Sequence, residues 1–146
     1  MKQNRKIAEG FTFVETLAAI SIGAILAAGA GLSAAKLIDT ARKTAVENQI
    51  AVFKAALQSY YIDCGRFPST PQGLAALWEK PLLSPVPANW HGPYVDKEIA
   101  RDPWGNSYFY EEKQNREGQL PFTIMSLGAD GREGGKGIDA DIFSWK

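Results

Sequence analysis

Three carboxylates near the carboxyl end of the chain are the residues best suited to chemistry. Asp130, Asp139 and Asp141 lie within residues 126–142, a stretch that also contains five glycines. Tight backbone turns can aim carbonyl oxygens inward beside the carboxylates, and Ca²⁺ takes hard oxygen ligands of both kinds. Basic side chains such as Arg132 could also neutralise the acids, so a calcium site and an ordinary acidic surface loop both fit this stretch.

Catalytic chemistry finds little support in the rest of the sequence. His91 is the only histidine and lies in a proline-rich segment, which excludes a zinc site built from several histidines. Cys64 is the only cysteine, so it cannot form an intramolecular disulfide, and no nucleophile motif surrounds it. The 16 basic and 16 acidic residues cancel, which removes any overall electrostatic attraction to nucleic acid. We expect neither an enzyme nor a nucleic-acid-binding protein.

Another carboxylate, Glu15, lies alone in an apolar run. It is the one charged residue among the 25 residues from Phe11 to Ala35. As a helix, at about 1.5 Å per residue, this run covers roughly 37 Å, enough to cross a hydrocarbon core of about 30 Å. We expect residues 11–35 to span a membrane, and three basic residues on either side leave the orientation open. A cleaved secretory signal peptide is the alternative, but such a peptide has no reason to keep an acid that opposes insertion.

The segment that follows is typical of an amphipathic helix. Between residues 36 and 62, apolar side chains recur at spacings of three and four, which indicates one buried helix face. The members of this predicted stripe are Ile38, Ala41, Ala45, Val46, Ile50, Phe53, Leu57 and Tyr60 or Tyr61. Gly65 and Pro68 end the helix. One long helix that is apolar in its first half and amphipathic in its second indicates a subunit that is held in a membrane and packs against copies of itself.

The remaining elements are short. Thr70 and Pro71 predict the start of a second helix, and the Asp-Pro-Trp-Gly-Asn sequence of residues 102–106 predicts a turn. Residues 107–113 and 120–126 have strand character, and the polar stretch between them joins them as a hairpin. The predicted fold class is α+β, with a long amino-terminal α-helix, half transmembrane and half amphipathic, packed on a small antiparallel β-sheet.

Several blocks of the sequence resemble a known family. The Gly-Phe-Thr-Phe-Val-Glu run of residues 10–15 resembles the processing motif of type IV pilin-like proteins. Other blocks, taken in chain order, are similar to the major pseudopilin of type II secretion systems. These blocks are residues 61–74, 102–106, 126–131 and 140–142, with Trp145. Because they extend over nearly the whole chain, they are far more specific than the processing motif alone.

The resemblance implies a processed, membrane-inserted subunit. A prepilin peptidase would remove the leader, residues 1–10, by cutting after Gly10, and Phe11 would become the methylated first residue. Residues 11–35 would then be the transmembrane and fibre-core half of the helix. Residues 36–146 would form the periplasmic domain, with the amino terminus on the cytoplasmic side of the bacterial inner membrane.

The resemblance also implies an assembly role for Glu15, which would pair with the first-residue amine of a neighbouring subunit in a helical homopolymer. That pairing is physically reasonable, because burying a carboxylate among apolar helices costs free energy unless a cation pairs with it. The polymer would be a periplasmic pseudopilus that drives export of folded proteins across the outer membrane. The implied partners are minor pseudopilins, the inner-membrane assembly platform and the prepilin peptidase.

For the acidic loop, the resemblance implies a structural Ca²⁺ in a carboxy-terminal metal-binding loop. The ligands would be the side chains of Asp130 and Asp141 with backbone carbonyls near Leu127 and Arg132. Asp139 would be a further ligand.

Other functions stay open on the sequence. A type IV pilin subunit is one, although such pilins generally close a carboxy-terminal loop by a disulfide that a single cysteine forbids. A membrane-tethered periplasmic binding or sensor domain is another, and an anchored enzyme using His91 is the third. The family also often has proline where Leu32 stands, a site linked to loosening of the helix in the fibre; Gly29 and Gly31 could take that role here.

Overall fold

The computed structural model describes residues 11–113 and 120–145, with the backbone alone for residues 28–33. The predicted leader with Gly10, and the tip of the predicted hairpin, lie outside this description. Contacts between residues divide the chain after Ile38 into two compact units. The second unit contains the sheet and the acidic loop.

Helix α1, Phe13–Cys64, is a single α-helix of 52 residues. It confirms the predicted long helix, and no proline interrupts it. Gly65 ends it with a left-handed backbone, φ 70°, and its N–H donates to the carbonyl of Tyr61 at 2.8 Å. This is the glycine termination expected from the sequence.

In the first unit, the large apolar side chains of α1 are exposed, among them Val14, Ile20, Ile25 and Leu26. Within residues 11–113 and 120–145, no helix is both long and apolar enough to meet the criterion for a membrane span. The transmembrane segment expected at residues 11–35 stays a prediction.

The second unit contains a three-stranded antiparallel sheet. Its strands are β1 (Phe109–Glu112), β2 (Phe122–Ser126) and β3 (Ile142–Phe143), in the order β1-β2-β3. The first pair confirms the predicted hairpin strands, with Phe109 opposite Met125 and Glu112 opposite Phe122. Strand β3 was not predicted, because two residues are too few to show an alternating pattern.

The predicted second helix is shorter than expected. Residues Leu74–Leu77 form a single 3-10 turn, and Gly73 precedes it with φ 60° and ψ −165°, which interrupts any helix that starts at Thr70. The hydroxyl of Thr70 does not cap a helix; it accepts a hydrogen bond from the N–H of Glu112 at 3.0 Å. Tertiary contact with β1 therefore replaces the local cap.

The core lies between α1 and the sheet. The buried face of α1 confirms the carboxy-terminal part of the predicted stripe, and it packs with residues of the sheet and the 3-10 turn. Its members are Val46, Ile50, Phe53, Leu57 and Tyr60 on the helix, with Leu74, Leu77, Tyr110, Phe122, Ile124 and Ile142.

The predicted stripe is wrong at its amino-terminal end. Ile38, Ala41 and Ala45 are exposed. The spacing of three and four continues from Ala45 to Asn48 and Val52, which are exposed too, whereas the buried series starts at Val46. The predicted stripe therefore followed an exposed face of the helix as far as Ala45 and the buried face from Val46 onward.

Candidate functional site

A capping box forms at the start of α1. The N–H and hydroxyl of Thr12 both donate to Oε2 of Glu15 at 3.0 Å, and the N–H of Glu15 donates to the Thr12 hydroxyl at 3.2 Å. The two residues thus satisfy backbone groups that a helix start leaves without partners. Oε1 of Glu15 accepts no hydrogen bond from the part of the chain that the structure describes. One carboxylate oxygen is fixed, and the other accepts nothing from residues 11–113 and 120–145.

The predicted processing site adjoins this box. Phe11 precedes Thr12, and 88% of its surface is exposed. Gly10 lies outside the described residues, so the cleavage and methylation expected at Gly10 and Phe11 stay predictions.

The acidic loop holds Asp130 and Asp141 by backbone donors. Oδ1 of Asp130 accepts the N–H of Arg132 at 3.1 Å, and Oδ2 of Asp141 accepts the N–H of Gly134 at 2.9 Å. The other oxygen of Asp141, Oδ1, is buried and has no hydrogen-bond partner among the described residues. A buried carboxylate oxygen without a donor is costly, and a cation would satisfy it.

Asp139 contributes its backbone to the shape of the loop. Its carbonyl lies so close to Gly135 that a Cβ at that position would collide with it, and a Cβ at Gly128 would approach it to 2.8 Å. Both glycines have a left-handed backbone, with φ 79° and φ 64°. Glycine is therefore required twice where the chain folds against Asp139.

The three carboxylates of this loop do not form one metal-binding group. Across residues 11–113 and 120–145, no group of three or more His, Cys, Asp or Glu side chains lies close enough to hold a metal ion. The carbonyls predicted as ligands, those of Leu127 and Arg132, accept no hydrogen bond from described residues. Any metal here would depend on one or two carboxylates with such carbonyls, so the calcium site stays a prediction.

The turn of residues 102–106 positions the start of the acidic loop. Asp102 is buried, and its Oδ1 accepts the N–H groups of Trp104 at 3.1 Å and Asn106 at 2.8 Å. Its Oδ2 accepts the hydroxyl of Ser126, the last residue of β2, at 2.7 Å. Three donors thus satisfy a carboxylate that burial would otherwise penalise.

Asn106 continues this connection into the loop. Its Nδ2 donates to the carbonyl of Gly128 at 2.8 Å, and a Cβ on Gly131 would come within 3.0 Å of its Oδ1. The N–H of Ala129 then donates to the carbonyl of Ile138 at 3.1 Å, which closes the loop on itself. The turn and the loop form one hydrogen-bonded unit.

The side chains of Asp63 and Cys64, at the end of α1, contact residues 89–94 of the proline-rich segment. The hydroxyl of Tyr94 donates to Oδ2 of Asp63 at 2.9 Å and accepts the N–H of His91 at 3.0 Å, and burial raises the pKa of this hydroxyl. The thiol of Cys64 lies 3.9 Å from the carbonyl of Asn89. His91 is exposed, with Nδ1 3.8 Å from Asp63. These contacts hold the proline-rich segment on the helix.

Two family models match the chain. The model for type II secretion system (T2SS), protein G, matches residues 34–145, and the model for the prokaryotic N-terminal methylation motif matches residues 5–31. The chain belongs to the type II secretion system protein G family. The family inferred from the sequence blocks is therefore confirmed.

Relatives in this family match the chain over nearly its full length. The type II secretion system core protein G of Pseudomonas aeruginosa is 40% identical over 141 residues, which cover 97% of each chain. That of Vibrio cholerae is 36% identical over 146 residues, 99% of this chain and 96% of the relative. The crystal structure of the major pseudopilin from the type 2 secretion system of enterohaemorrhagic Escherichia coli matches with a TM-score of 0.60 at 31% identity, covering 73% of this chain and 89% of that one.

As a member of this family, the chain is a structural subunit of the type II secretion pseudopilus and not an enzyme. Its long helix packed on a three-stranded sheet matches the pseudopilin fold. The sequence blocks at residues 102–106 and 126–131, which carried the resemblance, are the ones that Asp102 and Asn106 join.

Proposed function

We propose that this protein forms the main body of a periplasmic pseudopilus after processing. In this proposal a prepilin peptidase removes residues 1–10, and Phe11 is methylated. Residues 11–35 then hold the subunit in the inner membrane with its amino terminus on the cytoplasmic side, and residues 36–146 lie in the periplasm. The match of the methylation motif to residues 5–31 supports the processing step.

Polymerisation depends on Glu15 in this proposal. The capping box holds one oxygen of its carboxylate on Thr12, and Oε1 accepts no hydrogen bond from the described residues, which suits it to receive the amine of Phe11 from a neighbouring subunit. Burial of the carboxylate among apolar helices is costly without that cation, so the pairing selects one axial stagger between subunits. Growth of the polymer, initiated with minor pseudopilins on an inner-membrane assembly platform, drives folded proteins across the outer membrane.

A structural Ca²⁺ stabilises the periplasmic domain in this proposal. The orphaned Oδ1 of Asp141 fits a cation ligand, and Asp130 with the carbonyls of Leu127 and Arg132 supplies further oxygens of the kind that Ca²⁺ takes. Asp139 is a further candidate. The ion would link parts of a loop that has few apolar residues, and it would thereby lower the free energy of the folded state.

The match of the protein G family model to residues 34–145 supports the assembly function, and a Glu15 series tests its mechanism. In cells that export through this system, Glu15→Ala and Glu15→Gln should each abolish the ladder of subunits trapped by chemical cross-linking, because neither side chain offers a negative charge to the amine. Thr16→Ala, one residue along the helix, should retain the ladder. An unchanged ladder in both Glu15 variants would contradict the pairing of Glu15 with the amine, whereas absence of a ladder in the wild type would favour a tethered binding domain that does not polymerise.

A further inference from the structure

The side chain of Asn106 contacts the acidic loop on both sides of Asp130. Its Nδ2 donates a hydrogen bond to the carbonyl of Gly128 at 2.8 Å. A Cβ on Gly131 would lie 3.0 Å from its Oδ1 and 3.4 Å from its Nδ2, so the backbone at Gly131 runs close to the same amide group. One side chain from outside the loop therefore contacts the backbone before and after a predicted calcium ligand.

The two predicted carbonyl ligands adjoin these contacts. The carbonyl of Leu127 belongs to the peptide bond that joins it to Gly128, and Arg132 follows Gly131 directly. Both glycines have a left-handed backbone, with φ 64° and φ 65°. Glycine has the greatest conformational freedom of any residue, so the direction of these carbonyls depends strongly on contacts that fix the glycine backbone. Asn106 supplies such contacts at both positions.

Asn106 is itself held in place by its own turn. Its N–H donates to Oδ1 of Asp102 at 2.8 Å, and its carbonyl accepts the N–H of Asp102 at 2.9 Å. The same carboxylate accepts the hydroxyl of Ser126 at the end of β2. The amide of Asn106 is therefore connected to the sheet through fixed hydrogen bonds. Because it is already ordered, it can hold the loop backbone in one conformation and so reduce the free-energy cost of binding an ion there.

We propose that Asn106 is a positioning residue for the structural Ca²⁺. It holds residues 128–131 in the conformation that presents Asp130 and the neighbouring carbonyl oxygens, and it does not itself bind the ion. Groups that orient metal ligands through hydrogen bonds commonly contribute to metal affinity although they lie outside the ligand set. The inference rests on the proposed calcium site and assigns part of its affinity to the turn of residues 102–106.

The affinity of the full chain for Ca²⁺ tests this role. Isothermal titration of the chain, purified in detergent, with Ca²⁺ gives the dissociation constant, and thermal unfolding in chelator gives the stability of the metal-free form. Asn106→Leu replaces the amide with an apolar group of similar shape, and it should raise the dissociation constant about tenfold. Asn48→Leu, the same change at an exposed position of α1, should keep the wild-type value. A residue that only stabilises the fold would lower the unfolding temperature in chelator and leave the dissociation constant unchanged.

A pair of glycine variants gives an independent readout that leaves Asn106 in place. Gly131→Ala and Gly137→Ala share a left-handed backbone, with φ 65° and φ 67°, but only at Gly131 does the added Cβ meet Asn106; at Gly137 it meets nothing within 4 Å. Gly131→Ala should weaken Ca²⁺ binding more than Gly137→Ala does. That difference should shrink when Asn106→Ala is added to both variants, because the amide that the Cβ displaces is then absent.

The outcomes separate this inference from the proposed calcium site. A wild-type dissociation constant in Asn106→Leu would overturn the inference alone, as would a difference between the glycine variants that persists in full without the amide of Asn106. Absence of Ca²⁺ binding by the wild-type chain would overturn the proposed calcium site.

Discussion

The hydroxyl of Ser126 donates a hydrogen bond to the carboxylate of Asp102 at 2.7 Å, and both residues are buried. This bond joins a turn to the end of β2, where the acidic loop begins. The same carboxylate accepts two N–H groups of its own turn, so one side chain organises both segments. The position of the loop therefore depends on a buried acid that is not among the predicted metal ligands.

Asp102→Ala should destabilise the periplasmic domain by about 3 kcal/mol. The substitution removes the acceptor of three donors, of which the Ser126 hydroxyl is buried and the two N–H groups are partly buried, and each unsatisfied donor is costly. Urea unfolding followed by tryptophan fluorescence measures the change. Asp96→Ala, which removes an exposed acid, should alter stability by less than about 0.5 kcal/mol. Equal effects of the two variants would contradict the role assigned to Asp102.

Gly135→Ala should be more damaging than Gly134→Ala, although both glycines have a positive φ, 79° and 102°. A Cβ at Gly135 would collide with the backbone carbonyl of Asp139, whereas a Cβ at Gly134 meets nothing within 4 Å. Backbone strain is common to the two variants, so the difference isolates the collision, and we expect it to be about 2 kcal/mol. Comparison of their thermal unfolding curves provides the measurement, and matching curves would refute the close approach.

Removal of calcium should lower the unfolding temperature of the wild-type chain. At a Ca²⁺ concentration one hundred times the dissociation constant, binding adds about 2.7 kcal/mol, and a chelator removes that contribution. Asp130→Ala or Asp141→Asn should abolish the sensitivity to chelator, while Glu133→Ala, an exposed acid of the same loop, should keep it. If the wild-type chain unfolds at the same temperature with and without chelator, the calcium site is contradicted and the stretch is an ordinary acidic surface loop.

Tyr60 should make the domain lose stability at high pH. Burial raises its pKa to about 12, above the value of about 10 expected in the unfolded chain. The stability that this group contributes is fully present below about pH 10 and is lost as the pH rises through 12. The free energy of unfolding should therefore fall across this window, and it should fall less in Tyr60→Phe than in Tyr61→Phe, a matched change at an exposed neighbour. Parallel pH profiles for the two variants would be the contrary result.

The helical part of this fold could be predicted because helices follow local rules. The buried series from Val46 to Tyr60 and the stop at Gly65 depend on spacing and on one residue's backbone freedom. The same rules misplaced Ala41 and Ala45, because a spacing of three and four shows that a face exists without showing which face the core covers.

Long-range contacts account for what the sequence could not predict. Strand β3 depends on hydrogen bonds between Ser144 and Ile124, which lie 20 positions apart in the sequence. The Ser144 hydroxyl accepts the N–H of Ile124, and the Ser144 N–H donates to the Ile124 carbonyl. The hydrogen bond between Asp102 and Ser126 joins residues 24 positions apart. The local sequence therefore indicated a turn at residues 102–106, but it did not indicate that the Asp102 carboxylate connects this turn to the end of β2. An acid inside a proline–glycine turn is the one local signal that could have pointed to it.

The mass of the amino terminus tests the central claim most directly. The protein would be extracted from membranes of cells that express its secretion system, and its amino-terminal peptide would be analysed by mass spectrometry. The account predicts a chain that begins at Phe11, carries one added methyl group and lacks residues 1–10. A chain that keeps its leader, or one cut near Gly31 in the manner of a secretory signal peptide, would contradict it.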